Sequence, residues 1–407
     1  MPIITGKQRR FLLRCSLIFL SFCLLKFLNV LPVQATDDNP NYLPLIYKDY
    51  DPSWQWSTAI TVELTPMPYH DPLVVVDHQQ QLHIFWDTLK APRFIYHTVL
   101  RAFGWSSSEP ITQTLGTSTL QNPPVVGADG AIHFVWQNDL GSGVEARYRL
   151  LHAQFDGINW SPETVLYQNV HGAIDGLPYL DEQNHLQILS DYSNLVTRQF
   201  LQFTQITGGW STSVIGDPPK GHALSVAAWV PTRQGGIHFY ADGFANGLYH
   251  TYWLNGTFPV QSQSFTGKLW GRHSQGDGNS NLHMYWLGPV PVPGGTVQGL
   301  TDQCLTNTLT WREPQVLSHY QAVHGQFVTA TDQQSQVAFA WIEDYQHMRL
   351  ALWQGCTLTD EKEIPFTNVR DLSLSSILLS QEPHQFCVLA RSGSPSRYTV
   401  LCADIYR

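Results

Sequence analysis

From residue 54 onward the chain alternates short apolar stretches with polar turns, and one arrangement recurs. An apolar strand is followed by a polar turn and then by a second, almost wholly apolar strand. It reads PLVVVDHQQQLHIFW from Pro72 to Trp86 and PPVVGADGAIHFVW from Pro123 to Trp136. Weaker copies are LPYLDEQNHLQILS from Leu177, GGIHFYA from Gly235, NSNLHMYW from Asn279, QSQVAFAW from Gln334 and PHQFCVLA from Pro383. The first apolar residues of the second strands are Leu82, Ile132, Leu186, Ile237, Leu282, Val337 and Phe386, at intervals of 50, 54, 51, 45, 55 and 49 residues. A period near 50 lies in the range of β-propeller blades. Gly, Pro, Asn and Asp separate the strands, and no segment carries a helical period.

A second marker lies between these units, a Trp followed by a short strand: Trp105, Trp160, Trp210 and Trp311, with Phe258 and Leu358 in two degraded copies. Each stands 24 to 28 residues before the next unit's marker. The seventh unit reaches Arg407 without such a strand, while a spare copy, WSTAITVEL from Trp56, precedes the first unit by 26 residues. The pattern predicts an all-β, seven-bladed propeller of four-stranded antiparallel blades. The N-terminal strand completes the last blade and so closes the ring, which leaves only short sheet edges. Six blades with one unit miscounted, or two β-sandwiches, are the alternatives. The predicted organisation is 1–35 export segment, 36–53 linker and 54–407 propeller.

The export segment has a basic start (Lys7, Arg9, Arg10, Arg14), an apolar run from Cys15 to Leu25 and small residues at Val33 and Ala35. This is the layout of a secretory signal peptide, which places the mature chain outside the cytoplasm or at the cell surface. An uncleaved anchor is the alternative, but Lys26 cuts the apolar run below the ~20 residues of a spanning helix. Removing five basic residues and no acids takes the net charge from −9 to −14. An acidic surface repels phosphate backbones, so nucleic acid is not an expected partner. Cys304, Cys356, Cys387 and Cys402 remain, and an exported chain can oxidise them. Cys387 and Cys402 flank a hairpin centred near Ser394 and are the disulfide candidate; Cys304 and Cys356 have no evident mutual register.

The segment FDGINWS, Phe155 to Ser161, resembles the Asp-box turn of sialidase-like (BNR-repeat) propellers, with Asp156, Gly157 and Trp160 in the matching places. The phrase Gly130 to Trp136 is similar to inner strands of the same superfamily, and the layout resembles that of seven-bladed fucose-binding lectin propellers. The resemblance implies a propeller and, for the lectins, ligands held between blades. It does not carry a catalytic set across. The sialidase arginine triad has no residue-by-residue match, Arg93-Phe94-Ile95-Tyr96 is only superficially close to the Arg-Ile-Pro motif, and Asp156 implies turn structure.

Several residue sets are candidates for chemistry. Aligning the units puts Asp71, Asn122, Asp175, His222, Arg272, Gln326 and Asp371 at the mouth of the central channel, with Tyr69, His70, Trp270 and His324 beside them. Here the repeat breaks into different polar residues. Asp71, Asp175, Asp371 and Arg272 are the catalytic candidates, and Tyr69, His70, Asn122, His222, Trp270, His324 and Gln326 the binding candidates. A carboxylate pair about 5 Å apart would suit retaining glycoside hydrolysis; a water-filled polar mouth is the plainer reading. An acid after the second strand and an arginine opening the third recur: Asp87 with Arg93, Asp139 or Glu145 with Arg147, Asp191 with Arg198, and Glu343 or Asp344 with Arg349. These read as hairpin braces. His83, His133, His238 and His283 share one repeat position and read as packed histidines donating to a neighbouring strand's backbone. A metal reading fails because equivalent positions diverge around a ring. The hairpin loops Gln137 to Ala146 and Leu287 to Val297 are candidate contact surfaces. No cofactor is expected: there is no phosphate-binding glycine loop, HExxH, CxxC, nucleophile elbow or EF-hand loop. The leading expectation is an exported, non-catalytic recognition module for a glycan or surface polymer. The alternatives are a glycoside hydrolase or lyase with its acids at the mouth, and a protein-interaction scaffold.

Overall fold

The computed structural model describes residues 54–405, apart from short connections of which 217–225, 255–262 and 365–372 are the longest. The expected export segment and linker lie outside the described residues. Seven antiparallel sheets of four or five strands form a seven-bladed propeller. Blade 3 shows the plan. Ile174–Leu180, Leu186–Ser193, Arg198–Ile206 and Gly209–Gly216 pair in sequence order, from the inner strand to the outer one.

Blade 7 is built from both parts of the chain. Ser373–Ser380, Gln385–Arg391 and Arg397–Ile405 supply three strands, and Trp54–Trp56 with Ile60–Glu63 form the fourth. Trp56 stands opposite Ala403, Ile60 opposite Val400 and Glu63 opposite Arg397. Ser57 N–H adds a bond to the Cys402 carbonyl at 2.7 Å. The unpaired strand at one end of the repeat thus finds the unpaired edge at the other, and the backbone donors of both are satisfied.

Burial follows the layering. Second strands have a neighbouring blade on each face, so both faces are apolar: every residue of Leu82–Asp87 and of Gln336–Glu343 is buried. The outer strand Thr357–Ile364 has one covered face, and its residues alternate between exposed and half-buried until Ile364. The buried residues fall into clusters between consecutive blades. Phe85, Ile132, Phe134 and Trp136 join blades 1 and 2. Ala338, Leu350, Phe386 and Val388 join blades 6 and 7. Val62, Leu64, Ile84, Trp86 and Val400 close the seam between blades 7 and 1. Each buried Phe or Leu contributes about 1.5–3 kcal/mol, so the ring is held mainly by inter-blade contact.

Three details differ from the sequence expectation or add to it. The proline-rich segment of blade 5 is not a loop. Leu282–Val292 and Gly295–Leu305 stay paired to the last residue, Val292 opposite Gly295, making the longest hairpin described. Pro289 and Pro291 are two residues apart, so their missing N–H groups fall on the same side of the strand and the ladder tolerates them. Cys387 and Cys402 are bonded within blade 7. Cys304, on the third strand of blade 5, is bonded to Cys356 at the 3–4 turn of blade 6, a tie between blades that the spacing does not disclose.

Candidate functional site

The structure spreads the expected mouth residues over several environments. Asn122 is half-buried, and its Nδ2 donates to the Gly176 carbonyl on the next blade at 2.9 Å, so it serves as an inter-blade tie. Gly176 is required there, because a Cβ would lie 2.7 Å from Leu150 Cδ1 and from Val135 Cγ1. Asp175 lies within the inner strand of blade 3, opposite Asp191 in register. Trp270 and Arg272 lie on Trp270–Gly276, and His324 and Gln326 on Ala322–Thr331, the inner strands of blades 5 and 6. His222 and Asp371 are outside the described residues.

Tyr69, His70 and Asp71 are brought together, and the structure adds partners the spacing did not indicate. The segment from Thr65 to Asp71 links the strand that completes blade 7 to the inner strand of blade 1. It is pinned to the second strand of blade 1: Trp86 Nε1 donates to the Pro66 carbonyl at 2.8 Å, and Tyr69 N–H to the Asp87 carbonyl at 2.9 Å. Asp87 is fully buried and accepts from the His70 backbone N–H at 3.0 Å and from His70 Nδ1 at 2.6 Å. Its carboxylate is therefore engaged by His70 and not by Arg93 as the hairpin pattern suggested. The reason is geometric, since the pinned segment places an imidazole and an amide on Asp87. Arg93 lies instead with its guanidinium carbon 3.9 Å from the centroid of the Tyr69 ring. Tyr69 keeps 44% of its surface exposed, and its ring meets His70 edge-on at 4.4 Å. Asp71 is reached by water, yet the protein crowded around it raises its carboxyl pKa against the opposing pull of Arg391 and His70.

The other braces divide. Arg349 Nε donates to Glu343 Oε2 at 3.1 Å, and its Nη1 lies 3.7 Å from Glu361. Asp139 accepts from the Gly141 N–H at 3.0 Å, turning its own hairpin. Arg198 stands opposite Ser193 in register, while Glu145, Arg147 and Asp344 are outside the described residues.

The repeated histidines have partners that the expectation missed. Three of the four are bonded to a second histidine on the third strand, two positions diagonally away. His83 Nδ1 meets His97 Nε2 at 2.8 Å, His133 Nδ1 meets His152 Nε2 at 3.2 Å, and His238 Nδ1 meets His250 Nε2 at 2.9 Å. In blade 5, His283 Nδ1 lies 3.2 Å from Asp302 and its Nε2 donates to the Gly355 carbonyl at 2.9 Å, the one backbone bond of the expected kind. The third-strand signal was present in the sequence as YHT at Tyr96 and Tyr249 and LHA at Leu151. In blade 1 the proton positions follow from the chain of bonds. Trp160 Nε1 donates to His97 Nδ1 at 3.4 Å, so His97 carries its proton on Nε2 and donates to His83, whose Nε2 donates to Asp77 at 3.1 Å. Burial lowers the His97 pKa to about 3, with His83 and Arg101 adding to the effect. Burial and then His133 lower His152 to about 3, and burial lowers His250 to about 4. His283 moves the other way. Burial pulls its pKa down, but the bond to Asp302, the Asp302 charge and the Gly355 carbonyl together raise it.

The Asp-box turn behaves as turn chemistry. Asp156 Oδ1 accepts from the Ile158 and Asn159 N–H groups at 2.8 and 2.7 Å, which lowers its pKa, and Gly157 adopts φ +95°. Trp160, which follows, packs against His97 of the preceding blade. Trp86, Trp136 and Trp341, which stand in second strands, are almost wholly buried, whereas Trp105, Trp160, Trp210 and Trp311 are half-buried. Among the described residues no group of three or more His, Cys, Asp or Glu side chains is placed to hold a metal ion.

No known family pattern matches the sequence, and no curated protein matches it. Solved propellers do match in shape. The propeller domain of the Trilobed protease from Pyrococcus furiosus is 10% identical, with a TM-score of 0.49 over 81% of this chain and 94% of that one. A sialidase from Streptococcus pneumoniae is 9% identical, with a TM-score of 0.42 over 84% of this chain and 69% of that one. The Aleuria aurantia lectin, solved with a fucosyl-N-acetylglucosamine, is 12% identical, with a TM-score of 0.38 over 76% of this chain and 99% of that one. At these identities the likeness is one of architecture.

Proposed function

We propose that this propeller is a non-catalytic recognition module for a glycan or other surface polymer, working at the junction of blades 7 and 1. The observation that carries the reading is Tyr69. Tyr69 is 44% exposed at the end of the blade-1 hairpin; His70, held by the buried Asp87, meets its ring edge-on, and Arg93 lies over the ring. A fixed aromatic ring among convergent polar groups suits a sugar, whose C–H face packs on the ring while its hydroxyls bond to the neighbours. The site's rigidity has a stated source. The segment bearing Tyr69 and His70 makes backbone and side-chain bonds to blade 1, so little ordering entropy remains to be lost on binding.

A glycan array with the full chain and with Tyr69→Ala tests this. Binding to at least one carbohydrate, lost in Tyr69→Ala with unchanged melting, is the expected result. Failure to bind any sugar sinks the reading. Turnover of fluorogenic glycosides that Asp71→Asn and Asp175→Asn both abolish would replace it with a hydrolase.

A further inference from the structure

At the blade 7–1 junction one guanidinium, that of Arg93, has no carboxylate partner among the described residues. Asp87 is buried and satisfied by two donors from His70. Arg93 makes no ion pair or side-chain hydrogen bond among the described residues; its side chain has only the Tyr69 ring beneath it. Arg349 of blade 6, by contrast, is engaged by both Glu343 and Glu361.

Three consequences follow for a ligand. A guanidinium held over an aromatic ring by its charge leaves N–H groups for an oxyanion, which it can bind with two parallel bonds. His70 offers a further polar atom on the same side, because Asp87 occupies only Nδ1 and leaves Nε2 without a partner among the described residues. The position is open, with Met67 40% and Tyr69 44% exposed, so an internal residue of a long chain fits as well as a terminal one.

We infer that Arg93, Tyr69 and His70 form a subsite for an oxyanion-bearing polysaccharide, the anion being a uronate carboxylate or a sulfate ester on an extended chain. This rests on the glycan reading above and narrows it. The Arg93 guanidinium takes the anion in a bidentate contact, His70 Nε2 bonds an adjacent oxygen, and the free part of the Tyr69 ring carries the sugar face.

The test uses the full chain at physiological salt against four polymers: polygalacturonate and its methyl ester, and dextran sulfate and dextran. The expected result is at least a tenfold preference for one anionic polymer over its neutral counterpart. Arg93→Gln should lower that binding at least tenfold, Arg93→Lys should recover only part of it, and Arg312→Gln, a change on blade 5, should leave it intact. Which pair shows the preference tells carboxylate from sulfate. Equal binding to charged and neutral polymers, or anionic binding that Arg93→Gln leaves unchanged, overturns the inference while the glycan reading stands. Absence of binding to all four polymers overturns the inference, and absence across the glycan array as well removes the reading beneath it. Arg93→Lys keeps the charge on a flexible stem, so it guards against loss of fold in the Gln variant, as does an unchanged melting curve.

Discussion

Blades 1 and 6 use the same backbone positions for opposite purposes. In blade 1 the second-strand position and its diagonal neighbour on the third strand hold His83 and His97, joined to Asp77 and to Trp160 of the next blade. In blade 6 the equivalent positions hold Ala338 and Leu350, both in the apolar cluster shared with blade 7. Blade 7 replaces the first position with Cys387, bonded to Cys402. Both solutions bury the site completely. The polar one needs every nitrogen placed, because a buried group without a partner costs about 1–3 kcal/mol. The apolar one needs only volume. A propeller interface thus tolerates either chemistry, and the two should respond differently to acid, reduction and truncation.

Acid should separate them most. The imidazoles of His97, His152 and His250 have folded-state values of about 3, 3 and 4 against an unfolded value of 6.5. Between those limits the unfolded chain binds more protons, so stability is full above pH 6.5 and is lost as the pH falls toward 3. A shift of this size is worth on the order of 4 kcal/mol per group, and three such groups together are comparable to the whole stability of a typical domain. Denaturant midpoints measured from pH 7.5 down to pH 4.5 should drop steeply below pH 6.5. A flat profile would show that the pairs are not held neutral. Next in size is the apolar side. Cys387→Ala with Cys402→Ala opens a loop with a sequence separation of 15 and should cost about 3 kcal/mol, with the acid response unchanged. His97→Leu, which copies the blade-6 residue, leaves His83 Nδ1 and Trp160 Nε1 unpartnered and should cost about 2 kcal/mol. Adding His83→Ala should recover part of this and make the acid response shallower; if the double variant is as acid-sensitive as the parent, the blade-1 pair is not a titrating element. The smallest effect belongs to Trp160→Phe, which keeps most of the ring contact and deletes the bond to His97. About 1 kcal/mol is expected from the melting shift.

The junction of blades 7 and 1 and the rest of the ring differ in how far the sequence disclosed them. Blade number, strand order and closure by the segment after Trp54 were legible, because each rests on a repeated local pattern and on one spare copy at the N-terminal end. The proline-rich segment reads as a loop in the sequence and pairs as strands in the structure, since Pro289 and Pro291 look like strand breakers until their common side of the ladder is known. At the candidate site the sequence put Tyr69, His70 and Asp71 near the mouth, but it paired Asp87 with Arg93. His70 and Asp87 are 17 residues apart, at the open end of the blade-1 inner hairpin, where an irregular segment and not the regular strand register sets which side chains meet. The third-strand histidines were visible as repeated YHT and LHA phrases, yet their bonding depends on a diagonal contact and not on direct opposition.

The sequence alone determined what periodic burial can determine: an all-β chain, seven near-copies of one sheet, and a ring whose missing strand lies before its first blade. Only the tertiary structure decided which polar groups meet, namely His70 with Asp87, Arg93 with the Tyr69 ring, and Cys304 with Cys356. The physical reason is range. Apolar burial repeats with the backbone period and is written residue by residue, whereas a hydrogen bond or an ion pair requires two atoms within about 3 Å, and that distance is set by how separate hairpins and blades pack.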